Sequence, residues 1–240
     1  MTSPTDQPAA PVELARADGV LGELVLRRRR IDGRAAVELV SNGVLLMDSA
    51  DTSTERRLAA EVLARVDAPA PHLLVGGLGL GYTVAAALAD PRPVRVTVVE
   101  VEPDVVRWVG AGLVPDHPDL LAHPRVDVLV GDVADVLGQV PPGSLDAVLL
   151  DVDNGPHFLV HPGNARVYGS GVLDVARAAL RPGGLLAVWS GHEAPDLAER
   201  LVRVCGRCDV ERLTVRRSGR ELEYLLYLGG TPRSRGTRRR

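Results

Sequence analysis

Three acidic residues each close an apolar run. Glu100 follows residues 94–99, Asp132 follows residues 126–130 and Gly131, and Asp151 follows residues 147–150. A fourth run, Leu73-Leu74-Val75, ends in glycines instead, with Gly77, Gly79 and Gly81 at alternate positions. Glycine in such a turn can take positive φ, and it leaves no Cβ to block a ligand approaching backbone N–H groups. A carboxylate about twenty positions further on suits the hydroxyls of a ribose, and Glu100 stands there. Asp132 is suited to accept a hydrogen bond from an adenine amino group. Each acid taken singly is equally a helix N-cap or a solvated loop end. Together they describe a nucleoside site.

Such a site needs strands to carry it. From His72 onward, strand-like and helix-like segments alternate, as a parallel α/β sheet requires. Strands are expected at residues 73–75, 94–99, 126–130, 147–150 and 185–189, with helices after the glycine turn and at 103–108, 134–137, 172–180 and 196–204. Arg181-Pro182-Gly183-Gly184 reads as a break between the fourth of these helices and the fifth strand. Residues 210–215 and 222–228 read as a closing hairpin turned at Ser218-Gly219. Ligands in open parallel sheets lie at the carboxyl ends of the strands, where the glycines and the three acids fall. Ahead of this lies a different pattern. Short β segments at 23–27, 36–40 and 44–48 are separated by turns, and a helix over 54–63 is capped at Ser53 or Thr54. Pro69 and Pro71 mark the boundary. The expected division is a disordered tail 1–11, a small β piece with its helix 12–70, a nucleoside-binding α/β unit 71–230, and a basic disordered tail 231–240.

Composition excludes several classes. The chain has 240 residues, 45% of them hydrophobic, and a net charge of −3, which gives no global pull toward nucleic acid or membrane. All 28 basic residues are arginine. No apolar run reaches membrane-span length, and the polar, proline-rich first residues lack a signal-peptide core, so a cytoplasmic location is expected. Cys205 and Cys208 have no second cysteine pair to complete a zinc site and read as reduced thiols. His157, His161 and His192 match no compact ligand spacing, so no metal is expected. His157 follows the Asp151 loop as a base or substrate contact.

The order Val99-Glu100, Val130-Gly131-Asp132 and Leu150-Asp151-Val152-Asp153-Asn154-Gly155-Pro156 resembles the spermidine synthase (polyamine aminopropyltransferase) family, over roughly residues 22–230. The resemblance implies a class I methyltransferase fold, Rossmann-like, with a mostly parallel seven-stranded sheet, helices on both faces and a small N-terminal antiparallel β piece. It also implies that Gly77, Gly79 and Gly81 line a pocket for S-adenosylmethionine or its decarboxylated form. Glu100 would bind the ribose, Asp132 the adenine end, and Asp151 would stand beside the reacting amine. Asp153, Asn154, His157 and Tyr168 become substrate contacts, the partner is a small-molecule amine or other nucleophile, and a homodimer is in keeping with the family.

The chain departs from that pattern in places. The acid of the family's Gly-Gly-Gly-Asp-Gly-Gly motif is matched to Leu80, and the second acid of its Asp-x-x-Asp loop is Asn154. The Tyr and His of the family's amine channel are missing from residues 58–61. Loss of the acid at Leu80 suits intact S-adenosylmethionine, whose carboxylate a neighbouring acid would repel. Three readings stay open: aminopropyl transfer to an amine, methyl transfer, and a nucleoside-binding module without chemistry.

Overall fold

The computed structural model describes residues 10–231 apart from 32, 218 and 219. The expected tails therefore lie almost wholly outside the described residues, as does the Ser218-Gly219 turn. Among the described residues two sheets form. The first is an antiparallel meander of β1 (Val12–Gly19), β2 (Gly22–Ile31), β3 (Arg34–Ser41) and β4 (Val44–Asp48). Sequence patterning anticipated three of these strands. β1 was missed because its alternation is carried by alanines and charges rather than by β-branched residues. Helix α1 (Ser53–Arg65) follows. Its start differs from expectation: neither Ser53 nor Thr54 caps it. Asp51 Oδ1 instead accepts the Ser53 N–H at 2.9 Å and the Ser53 hydroxyl at 2.6 Å.

The second sheet has seven strands in the order β10-β11-β9-β8-β5-β6-β7. Here β5 is His72–Gly76, β6 Arg95–Glu100, β7 Val126–Val130, β8 Leu145–Leu150, β9 Leu180–Ser190, β10 Cys208–Arg217 and β11 Arg220–Gly230. β5 pairs in parallel with both β6 and β8, so strand order reverses between β5 and β8. The closing β10–β11 hairpin runs antiparallel to β9. Alternate residues of the central strands point to opposite faces. Leu73, Val75, Val96, Val98, Ala147 and Leu149 join the core on the side of the N-terminal sheet, α1, α2 (Tyr82–Ala89) and α3 (Pro103–Gly110). Leu74, Val99, Val148 and Leu150 join the core under α4 (Val133–Leu137), α5 (Ser170–Ala179) and α6 (Pro195–Cys205). Apolar burial on both faces accounts for the uninterrupted Val/Leu runs.

Arg181-Pro182-Gly183-Gly184, expected as a break, lies inside β9. The pairing shows how both readings fit. Leu145 faces Leu180 and Ala147 faces Leu185, so four residues of β9 loop out opposite Asp146. Asp146 Oδ2 holds that bulge through Arg181 at 2.6 Å and also accepts the His72 N–H at 2.8 Å.

Candidate active site

The glycine turn joins β5 to α2 at the carboxyl edge of the parallel strands. φ is +92° at Gly77, +51° at Gly79 and +90° at Gly81. A Cβ on Gly77 would collide with the carbonyl oxygen of Asp151, backbone against backbone, because β5 and β8 converge there. A Cβ on Gly79 would lie 2.5 Å from Met47 Sδ. Gly77 and Gly79 line a cavity of about 220 Å³, whereas Gly81 starts α2 against Leu120 and His117 and stands outside its lining. Leu80 is also outside it: the side chain is 1% exposed and packs in the core. The reading that set Leu80 against the donor's tail is therefore corrected. The wall at that point is Gly79 with the Met47 thioether over it.

Glu100 is buried at the end of β6. Its Oε2 accepts the Leu78 N–H at 2.7 Å and its Oε1 the Glu102 N–H at 3.0 Å. Burial raises its pKa, and these backbone donors oppose the rise. Each oxygen keeps a lone pair, so the brace on the glycine turn and acceptance of ribose hydroxyls are compatible. Asp132 also lines the cavity. It caps α4 by accepting the Ala134 N–H at 2.8 Å, and Arg166 approaches its other oxygen at 3.3 Å while bonding Asp135.

Asp151 lies on the cavity wall beside the turn, and its Oδ2 accepts the Thr83 hydroxyl at 2.5 Å. Burial pushes it up to about 6, and the Thr83 bond restrains the rise. The loop after it is fastened from within. Asp153, at φ +57°, accepts the N–H groups of Asn154 (2.7 Å), Val160 (2.8 Å) and His161 (3.2 Å) and the Asn164 amide (2.7 Å). The Tyr168 hydroxyl donates to the Val152 carbonyl, and the ring is buried outside the cavity lining. His157 also stands apart, bonded to Asp196 at 2.7 Å on the exposed side of the loop. Asn154 borders a second, smaller cavity.

Several residues of the site had no signal in the sequence. Glu55, in the first turn of α1, lines the same cavity as Asp151. Burial and then the Asp151 charge push it up to about 7. Met47, Leu21, Leu24 and Leu39 of the N-terminal sheet roof the cavity, and Trp189 closes one side. Glu102, 4% exposed at the start of α3, fastens that roof: its oxygens accept the Val20 and Leu21 N–H groups at 2.7 Å each. These contacts join residues far apart in the chain, which spacing and periodicity do not report. The cavity lining includes six carboxylates, Glu55, Glu100, Glu102, Asp132, Asp151 and Asp153, and no arginine among the described residues.

Strand order, a glycine turn at the switch point and an acid at the end of the next strand define a class I methyltransferase-like fold built around a nucleoside-sized cavity. No family model matches the chain. It is similar to the polyamine aminopropyltransferase of Mycobacterium tuberculosis, with 32% identity over 124 residues, 51% of this chain and 23% of that protein. It is also similar to putrescine N-methyltransferase 3 of Nicotiana tabacum, with 28% identity over 126 residues, 52% of this chain and 31% of that protein. The chain thus matches less than a third of the length of either of these curated relatives. Spermidine synthase from Thermotoga maritima has the same fold (TM-score 0.75, 14% identity), the match covering 91% of this chain and 72% of that one. A spermidine synthase in complex with the transition-state analogue AdoDATO superposes with a TM-score of 0.77 at 14% identity, covering 91% and 73%. The chain is therefore similar to polyamine aminopropyltransferases over about half of its sequence and to spermidine synthases in fold. Among the described residues no cluster of His, Cys, Asp or Glu is arranged to hold a metal, and no helix is long and apolar enough to cross a membrane.

Proposed function

We propose that this protein transfers an aminopropyl group from a decarboxylated S-adenosylmethionine type of donor to a small-molecule amine. One observation carries the choice of donor: the described residues lining the cavity include six carboxylates and no arginine. A donor bearing a sulfonium and an ammonium meets complementary charge there. The intact donor adds a carboxylate that would sit among acids without a counter-ion, and like charge disfavours it. The similarity to polyamine aminopropyltransferases supports the same reading.

In this reading Glu100 takes the ribose hydroxyls, Asp132 the adenine end, and Gly77 and Gly79 let the nucleoside lie against backbone. Asp151 attracts the acceptor ammonium, and the nitrogen attacks once a proton has left it. The N–C bond forms as the C–S bond breaks, and the electron pair stays on sulfur as a neutral thioether that needs no acid. Asp153 and Tyr168 act by holding the Asp151 loop. A cytoplasmic location and a homodimer belong to the same proposal, the homodimer resting on the resemblance. Methyl transfer is the second reading, and the similarity to putrescine N-methyltransferase favours it.

Calorimetric titration with S-adenosylmethionine, its decarboxylated form and methylthioadenosine separates these. The expected result is at least tenfold tighter binding of the decarboxylated form, about 1.4 kcal/mol. Tighter binding of the intact form would move the assignment to methyl or aminocarboxypropyl transfer. Failure of all three to bind would overturn the transferase reading altogether.

A further inference from the structure

The transfer just described uses one carboxylate at the attacking nitrogen, and the loop that carries it offers no second. Asn154 is uncharged, and Asp153 accepts four N–H groups of its own loop. A second acid does reach the site, from α1. Glu55 is 8% exposed and lines both the donor cavity and the second cavity, of about 140 Å³. The two cavities share Leu46, Met47, Glu55 and Trp189, so Glu55 stands in their common wall.

The second cavity suits a cation. Asp48 of β4, Asp51 of the following turn and Glu55 border it, together with the rings of Trp189 and Tyr224, whose centroids are 5.5 Å apart. Aromatic faces and carboxylates both attract ammonium groups. Around Glu55 itself, Thr54 Oγ1 donates to Oε2 at 2.8 Å, and the charges of Asp151 and Asp51 both raise its pKa. Of the neighbouring arginines on α1, Arg56 lies over the Tyr82 ring at 5.3 Å and Arg57 pairs with Glu61 and Glu211. Among the described residues no cation pairs with Glu55.

We propose that Glu55 is a second catalytic carboxylate, receiving the proton of the acceptor nitrogen at the passage between the two cavities while Asp151 holds that nitrogen from the donor side. The inference rests on the transferase reading. Two neighbouring buried acids without a counter-ion resist ionising together, and an ammonium arriving between them removes that resistance. The acid with the greater proton affinity, Glu55, takes the proton as the N–C bond forms and the C–S electron pair moves to sulfur. The proton then leaves through the second cavity. Entry of the acceptor by that cavity and of the donor by the first keeps the two substrates from competing for space.

The test follows methylthioadenosine release from the decarboxylated donor with putrescine as the amine probe, in the wild type, Glu55→Gln and Glu55→Asp. The expected result is a kcat loss of about 10²-fold or more in Glu55→Gln. Donor affinity should stay within about threefold, a change of under ~1 kcal/mol. Glu55→Asp should recover part of the rate, and the acid limb near pH 7 should vanish from the Glu55→Gln profile. A Glu55→Gln enzyme that keeps the wild-type rate and pH profile would overturn the role while leaving the transferase reading intact. So would a variant that loses donor binding in proportion to rate, which would make Glu55 a wall of the donor pocket. A wild type that releases no methylthioadenosine would overturn the transferase reading and this inference with it.

Discussion

Asp151 is held in a place that disfavours its charge, and that makes its removal a quantitative test of the site. Burial raises its pKa from 3.8 to about 6. A group whose pKa is raised by folding binds more protons in the folded than in the unfolded chain between those two values. Stability therefore falls as pH rises through that window, and the full penalty applies above it. At 1.36 kcal/mol per pH unit the penalty is about 3 kcal/mol at pH 8. Part of the side chain faces the cavity and Glu55 titrates beside it, so the measurable gain on neutralising it is about 1–3 kcal/mol. Asp151→Asn keeps shape, and its amide oxygen still accepts the Thr83 hydroxyl. For a chain of this size each kcal/mol is worth about 2–4 °C in Tm. Asp151→Asn is expected to melt higher than the wild type by about 3–10 °C at pH 8, the difference closing to near zero at pH 4, while turnover is abolished and donor affinity is retained. Thermal scans at five pH values with parallel titration of the donor decide it. A Tm difference that does not change with pH, or a variant less stable at pH 8, would refute the electrostatic argument.

Two more expectations concern the frame of the cavity. Gly77→Ala places a Cβ against the Asp151 carbonyl at φ +92° and should destabilise the fold by about 2–4 kcal/mol, read by urea denaturation. The same change at Gly143, also at positive φ but with open space around it, should cost only about 1 kcal/mol. Glu102→Ala removes the acceptor of the part-buried Val20 and Leu21 N–H groups and should lower stability by about 1–2 kcal/mol. Hydrogen exchange at Val20 and Leu21 should quicken more than at the central strands.

The strand ends were legible because their signals are local. Glycines at alternate positions, an acid closing the next apolar run and Asp151 after the run 147–150 each occupy one short segment, and the fold places Gly77, Gly79, Glu100, Asp132 and Asp151 around one cavity. Leu80 shows the limit of motif matching: counted from Gly76-Gly77, the motif's fourth position is Gly79, which lines the cavity, whereas Leu80 one residue further on turns into the core. Arg181–Gly184 shows another, since turn residues also serve as a bulge within a continuous strand. Glu55 and Glu102 were illegible for a different reason. Glu55 lies in the first turn of a helix and Glu102 at the N-cap of another, where helix dipole and solvation account for an acid fully. Only tertiary placement brings one beside Asp151 and the other beneath the β1–β2 turn.

The bonds from Glu102 to Val20 and Leu21 span 82 and 81 positions of the chain. They tie the floor of the nucleoside cavity to a roof made by a separate sheet. Closing a loop of that length costs entropy on the same scale as the β5–β8 pairing, which joins Leu73 to Ala147. The donor should then behave as a clamp between two folding units. Binding that needs both surfaces draws the β1–β2 turn onto α3, and donor concentration sets how much of the population has its roof closed.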